Sequence, residues 1–491
     1  MKDAAMLERR REATTVGDDA GFVRETTSAR GNKQHESTEQ WKSGRRAAVR
    51  NDAAFWVLGL INNTSYVIMM AFAKDILPSA VGIVFLADVA PTILVKVSAP
   101  YWFHRVSYST RVLASTLLMV LSFVTVGYGP VTWIKLIGVA FSAFQAGLGE
   151  ASFLALTSLY DTPRALTAWS SGTGFAGIFG YAWVFFFTFA LGLSLRATLM
   201  MACLLALAWL LTYFVLLTDP LDSGHEDSSN GITTTDGPEY SPLRSLQSPV
   251  SPTFTNSIVS EGQMFGGRHR NGDHGENREA WEGELYLDAT PNSVQTLPSL
   301  DVAQGKLEGK QLRVAMTTRE RMYFTLSLWR FVVPLTLVYF AEYTMQTGTW
   351  SAIGFPVTSP EARLRFYEYA NWSYQGGVFV SRSSGLVMRL SALSLWALPA
   401  IQVFMLFFFY LIAVERFWYN NGLFFLCFGV GLVGGLGYVN AFRLVAEAVR
   451  PELKELALAS ASVGDSLGVM TSDIAGTFLQ KYLYKRNMIS D

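Results

Sequence analysis

Apolar runs of about twenty residues recur along the chain, separated by short polar stretches. They lie near 53–73, 80–103, 111–128, 132–160, 170–192 and 196–217 and then, after a long polar interval, near 323–345, 391–413, 419–446 and 456–480. A helix of about twenty apolar residues crosses about 30 Å of hydrocarbon, so each run predicts a membrane span. A weaker, interrupted run at 375–390 makes an eleventh candidate. The expected fold is therefore an all-α polytopic membrane protein of about 11 transmembrane helices. The pattern divides it into a disordered N-terminal segment 1–52, a six-helix half 53–217, a loop 218–320, a half of about five helices 321–482 and a tail 483–491.

Composition supports this reading and narrows the function classes. Of the 491 residues 50% are hydrophobic and only 16% are charged, against roughly 25% in soluble domains. Net charge is zero, so the charge balance gives no basis for nucleic-acid binding. The two cysteines, Cys203 and Cys427, each sit within an apolar run with no supporting ligands, so neither a disulfide framework nor a metal site is expected. Nothing in the pattern calls for a cofactor. Residues 218–320 are dominated by Ser, Thr, Gly, Pro, Asp and Glu and cannot bury enough apolar surface to fold. They read as a disordered loop able to recruit trafficking or proton-pump partners.

Orientation follows the basic residues of the short loops. Lys42, Arg45, Arg46 and Arg50 precede the first span, and His104, Arg105, Arg111 and Arg164 mark later loops on the same side. The N-terminus is expected to be cytoplasmic. The 346–374 segment then faces the opposite side as a loop, where Asn371-Trp372-Ser373 matches a glycosylation acceptor.

The two halves carry a short repeat. GLGEASFLALTSLYDTPRAL begins at Gly147 and GLGYVNAFRLVAEAVRPELK at Gly435, with Pro163 and Pro451 at matching positions, and Gly172 and Gly464 open later small-residue spans. Loops of like charge at both copies make the halves parallel, as in major facilitators.

Charge inside hydrocarbon costs at least a few kcal/mol, so ionisable groups in spans mark pathways or proton relays. Asp88, Glu150, Glu447 and Asp465 are the candidate proton or cation sites. Asn440, Arg443 and Glu447 fall on one helical face, where Arg443 either contacts an anion or pairs with Glu447. Lys96, Arg330, Glu342 and Asp473 lie near span ends and are expected to snorkel. Asn62 and Asn63 begin a polar stretch in the first span that is expected to line the path. Gly172, Gly174 and Gly177 spell the dinucleotide pattern without a preceding strand, so they, like Gly434, Gly435 and Gly437, read as packing or gating positions. No hydrolytic constellation appears, and an enzyme is not expected.

The blocks FWVLGLINNTSYV from Phe55, FLADVAPT from Phe85, GLGEASFL from Gly147, WSSGTGFAG from Trp169, GVFVSRSS from Gly377 and GGLGYVNAF from Gly434 resemble the battenin family and its fungal vacuolar members. The resemblance implies a lysosomal or vacuolar multipass transporter distantly related to major facilitators and linked to vacuolar pH homeostasis. It implies small-molecule cargo, basic amino acids or glycerophosphodiesters, with protons as possible coupling ions.

Overall fold

The computed structural model describes residues 42, 44–77, 81–218 and 316–489, and among these there is helix, turn and connection but no strand. The first half contains α1 (Gly44–Ala71), α2 (Val81–Trp102), α3 (Tyr108–Tyr128), α4 (Thr132–Leu156), α5 (Thr162–Phe185) and α6 (Leu195–Leu211). The second contains α7 (Thr318–Ser327), α8 (Trp329–Thr344), α9 (Pro360–Ser383), α10 (Ala392–Glu415), α11 (Leu423–Ala448), α12 (Lys454–Ala461) and α13 (Val463–Arg486). Seven helices, α1, α3 to α6, α10 and α11, are long and apolar enough to cross a membrane, and the α7–α8 pair, bent by 60°, makes an eighth if it is one span. The remaining long helices, α2, α9 and α13, have 22, 24 and 24 residues. Length and composition alone thus reach seven or eight of the expected eleven.

Local chemistry sets the helix starts. Ser107, Ser194, Ser359 and Ser391 each accept a backbone N–H at the start of α3, α6, α9 and α10, and Pro360 takes the first position of α9. Thr317 and Glu320 cap α7 reciprocally.

The expected boundaries shift in several places. Residues 346–374 are not a loop: α9 occupies 360–383, and the interrupted candidate at 375–390 is its C-terminal part followed by turn and extended chain. The N-terminal residues of α9 are polar, but Phe366, Ala370, Tyr374, Gly377, Val378 and Ser381 are buried at three- and four-residue spacing. Helix α1 already begins at Gly44, α7 begins at Thr318, and α13 runs to Arg486. Residues 1–41 and 219–315 lie outside the described residues, and with them most of the two segments expected to be disordered.

The glycines of the repeat do the same job in both halves. A Cβ on Gly147 of α4 would come within 3.0 Å of the Thr92 carbonyl of α2, and one on Gly435 of α11 within 2.9 Å of the Val378 carbonyl of α9. Likewise Gly172 of α5 backs onto the Trp56 carbonyl of α1, and Gly464 of α13 onto the Val332 carbonyl of α8. Without side chains at these points, helix backbones approach closely enough for dispersion contacts to hold the pair in lipid.

Between halves, α2 packs on α13, α5 on α9 and α4 on α12. At the end carrying residues 103–107 and 449–453, the Tyr108 hydroxyl donates to Glu455 at 2.7 Å and Arg321 donates to the Pro100 carbonyl at 2.9 Å. These bonds tie the halves together at that end.

Candidate substrate path

Lys96 on α2 is the centre of a buried polar cluster between the halves. It is 1% exposed, and its Nζ donates to Glu150 Oε2 at 2.7 Å, Asp465 Oδ1 at 2.9 Å and Ser466 Oγ at 2.8 Å. The snorkelling expected of Lys96 does not occur, because two carboxylates and a hydroxyl satisfy all three of its donors inside the bundle. Glu150 comes from α4 of the same half, and Asp465 and Ser466 from α13 of the other. The second Glu150 oxygen accepts from the Tyr438 hydroxyl of α11 at 2.7 Å. Lys96 and Glu150 each sit about 9 Å before the ends of α2 and α4 at the helical rise of 1.5 Å per residue. The cluster therefore lies toward the end where the halves are tied, not at mid-depth.

A second buried cation faces the first across Tyr438. Arg382 in the last turn of α9 is 9% exposed and stacks on the Tyr438 ring with Cζ 3.9 Å from its centroid. Its Nη1 donates to Thr173 Oγ1 of α5 at 2.7 Å and its Nη2 to the Tyr339 hydroxyl of α8 at 2.5 Å, while Nε has no partner. Gly174 makes room for its stem, since a Cβ there would lie 3.1 Å from Arg382 Cδ. Among the described residues Arg382 forms no ion pair.

The repeat relates the two cations. The Thr92–Gly147 contact matches Val378–Gly435, and the same register pairs Lys96 with Arg382, Glu150 with Tyr438 and Thr173 with Asp465. Lys96 thus contacts α4 of its own half and α13 of the other, and Arg382 contacts α11 of its own half and α5 of the other. In the first set both partners are acids, whereas in the second they are a tyrosine and a threonine. One cation is neutralised and its counterpart is not.

Glu342, expected to snorkel, is instead 2% exposed within the second half. Its Oε1 accepts from the Tyr374 hydroxyl of α9 at 3.1 Å and its Oε2 from Gln402 Nε2 of α10 at 3.1 Å. Gly434 of α11 lies directly against Oε2. Two donors, from α9 and α10, and close packing against α11 hold this carboxylate inside the bundle. Arg330, by contrast, is exposed, and Asp473 is half-buried.

The other sequence candidates lie apart from this centre. Asn62 is fully buried and ties α1 to α4, donating to the Ala146 carbonyl at 3.3 Å and to Asn63 at 3.1 Å and accepting from Gln145 at 3.2 Å. Asp88 is 6% exposed with Oδ1 unpartnered, on α2 nearer its other end. Arg443 pairs with Glu447 at 2.7 Å and bonds Asn440 at 3.3 Å and the Leu390 carbonyl, while Asn440 accepts from the Leu390 N–H at 2.9 Å. This face of α11 anchors the connection between α9 and α10. Gly177 lies against Gln375, and Gly437 faces Val338 at 3.4 Å. Asn371 lies within α9, where its amide donates to the Tyr367 carbonyl at 2.8 Å.

Of the sequence candidates, the structure joins Glu150 and Asp465 in one cluster and sets Gly174 beside Arg382 and Gly434 beside Glu342. Lys96, Thr173, Tyr339, Arg382 and Tyr438 were missed as a group. The sequence repeat did not reveal this, because its offset of 288 residues (435 − 147) carries Lys96 onto Ser384, and only the matching helix contacts pair Lys96 with Arg382.

A family model described as CLN3 protein matches residues 53–486. The chain belongs to the CLN3 protein family. Among its relatives, Protein btn-1 of Neurospora crassa is 32% identical over 440 residues, covering 88% of this chain and 87% of that protein. Battenin of Canis lupus familiaris is 30% identical over 468 residues, covering 88% and 91%. In fold, this CLN3-family chain is similar to the human organic anion transporter MFSD10, with a TM-score of 0.52 at 12% identity over 89% of this chain and 96% of that one. It is also similar to the major facilitator proton:xylose symporter XylE, with a TM-score of 0.50 at 13% identity over 89% of each. The CLN3-family chain is thus a multi-pass membrane protein with the major facilitator fold, and the α2–α13 and α5–α9 contacts form the seam between its halves.

Proposed function

We propose that this protein is an alternating-access transporter of small organic anions, with glycerophosphodiesters as the cargo class, in a vacuolar or lysosomal membrane with the N-terminus in the cytoplasm. The observation that carries this reading is Arg382, a buried guanidinium at the seam that lacks a carboxylate partner and keeps a free Nε donor. Uncompensated charge in a low-dielectric interior is costly, and a phosphodiester supplies both the countercharge and acceptor oxygens in the geometry a guanidinium prefers. Basic amino acids fit less well, because Glu150 and Asp465 already share Lys96. In an acidic compartment, proton-coupled export of such anions would also draw on the pH gradient, and so would give the protein a part in vacuolar pH homeostasis. The seam supplies the moving part. Rocking one half against the other must exchange the Lys96–Asp465 and Arg382–Thr173 links, because each joins helices of different halves.

The test uses the full chain in liposomes preloaded with unlabelled glycerophosphoglycerol, with uptake of labelled glycerophosphoglycerol as the readout. Wild type should exchange it and R382Q should lose exchange by about 10–100-fold, as expected from losing one charge-assisted contact of about 1.5–3 kcal/mol. Exchange of arginine or lysine but not of the phosphodiester would overturn the assignment.

A further inference from the structure

We propose that Glu342 is the proton-binding site of this transporter and that it is loaded when an anion occupies Arg382, so that one proton and one anionic charge travel together. The inference rests on the anion reading of Arg382. Its independent support is the surroundings of Glu342.

Glu342 is a deeply buried carboxylate that forms no ion pair among the described residues. Its charged form is held by two donors, Tyr374 and Gln402. A protonated carboxyl needs an acceptor instead, and Gln402 carries one: its Oε1 is buried without a partner. Turning that amide over would offer the oxygen to a Glu342 hydroxyl, at the cost of the bond its nitrogen makes to the Val430 carbonyl at 3.2 Å, so each protonation state has a partner for the carboxyl group. Fixed structural carboxylates in membranes are usually matched by a cation; this one is matched by groups that serve either state.

The link to cargo is one helical turn long. Tyr339, three residues before Glu342 on α8, accepts from Arg382 at 2.5 Å, so Arg382 meets the same face of α8 that carries Glu342. From α9 the groups facing Glu342 are Tyr374 and Arg382, and from its own helix Tyr339 and Tyr343. Neutral Gln402 faces it from α10, and Gly434 from α11. Helix α13 brings Gly464, Gly468 and Gly476 against α8 and its adjoining turn. With Arg382 unoccupied, its positive charge favours an ionised Glu342. An anion on Arg382 cancels that field, which favours proton uptake, and linkage requires the proton to strengthen anion binding in return. A monoanion plus a proton leaves the total buried charge unchanged, so the loaded seam can rearrange without carrying a new charge through hydrocarbon.

The experiment compares wild type, E342Q, E342D and R382Q in liposomes with a two-unit pH gradient, acid on the uptake side, and labelled glycerophosphoglycerol. Electroneutral one-to-one coupling lets such a gradient raise wild-type accumulation up to about 100-fold, ten per pH unit. E342Q should exchange cargo across equal solutions yet accumulate none under the gradient, and E342D should retain gradient-driven uptake with a displaced pH profile. Addition of glycerophosphoglycerol to weakly buffered purified protein should draw protons from solution with wild type but not with E342Q or R382Q. Wild-type accumulation by E342Q, or loss of its equilibrium exchange with E342D behaving alike, would overturn the proton assignment while leaving the anion reading intact. Absence of phosphodiester exchange in wild type would remove the anion reading and this proposal with it.

Discussion

Replacing Lys96 with methionine tests whether the seam cluster is held by charge. The side chain is 1% exposed and its ammonium lies 2.7 Å from Glu150 and 2.9 Å from Asp465. At such separations an effective dielectric of about 20 gives about 5–6 kcal/mol of attraction per pair, before the cost of removing the groups from water is subtracted. Removing one partner of a buried pair typically costs about 3–5 kcal/mol, because the charges left behind stay buried and unpaired. Lys96→Met preserves most of the volume and leaves two carboxylates facing each other across the seam, so we expect a loss of that size. The variant Lys96→Met/Glu150→Gln/Asp465→Asn removes all three charges and should return to within about 1 kcal/mol of wild type, since a buried ion pair replaced whole is often neutral for stability. Thermal denaturation of the detergent-solubilised protein, followed by the surviving size-exclusion peak, reads both. Wild-type stability for Lys96→Met, or a triple variant as unstable as the single one, would refute the view that charge pairing holds the seam.

Four further outcomes follow from particular contacts. Gly434→Ala places a methyl group against Glu342 Oε2 and should destabilise by about 1–3 kcal/mol, with Gly437→Ala, whose surroundings begin at 3.4 Å, costing less in the same denaturation assay. Glu447→Gln should cost under about 1 kcal/mol because the Glu447 side chain is 48% exposed, whereas Arg443→Gln, which also releases the Leu390 carbonyl, should cost more and loosen the α9–α10 connection to proteolysis. Tyr438→Phe removes the hydroxyl bonded to Glu150 while keeping the ring under Arg382; about 1 kcal/mol of stability should go, with phosphodiester exchange retained. Asn371 lies well inside α9 with its amide bonded to Tyr367, so glycosidase treatment should leave the mobility of wild type equal to that of Asn371→Gln, and a shift confined to wild type would place that part of α9 in a lumenal loop.

How far the site could be read from the chain differs from residue to residue. Glu150 and Asp465 stood out because a carboxylate in an apolar run has few explanations. Lys96 and Glu342 were assigned to interfaces because linear distance from a span end was the only guide to depth, and that distance misleads when neighbouring helices supply partners. Helix α9 was read as a loop plus a broken span because hydropathy averages over all faces, while only its stripe from Phe366 to Ser381 is buried, packed on α11 at Gly377 and Gly431 and bonded to α8 through Tyr374.

By itself the sequence determined a polytopic helical membrane protein in two parallel halves, because lipid solvation demands long apolar helices and the glycines at helix contacts repeat with the fold. Which charges are neutralised was decided only by tertiary structure. Lys96 meets Asp465, and Arg382 meets Thr173, across more than two hundred residues of chain. No local pattern encodes such a meeting, since it depends on how closely the helices of opposite halves approach.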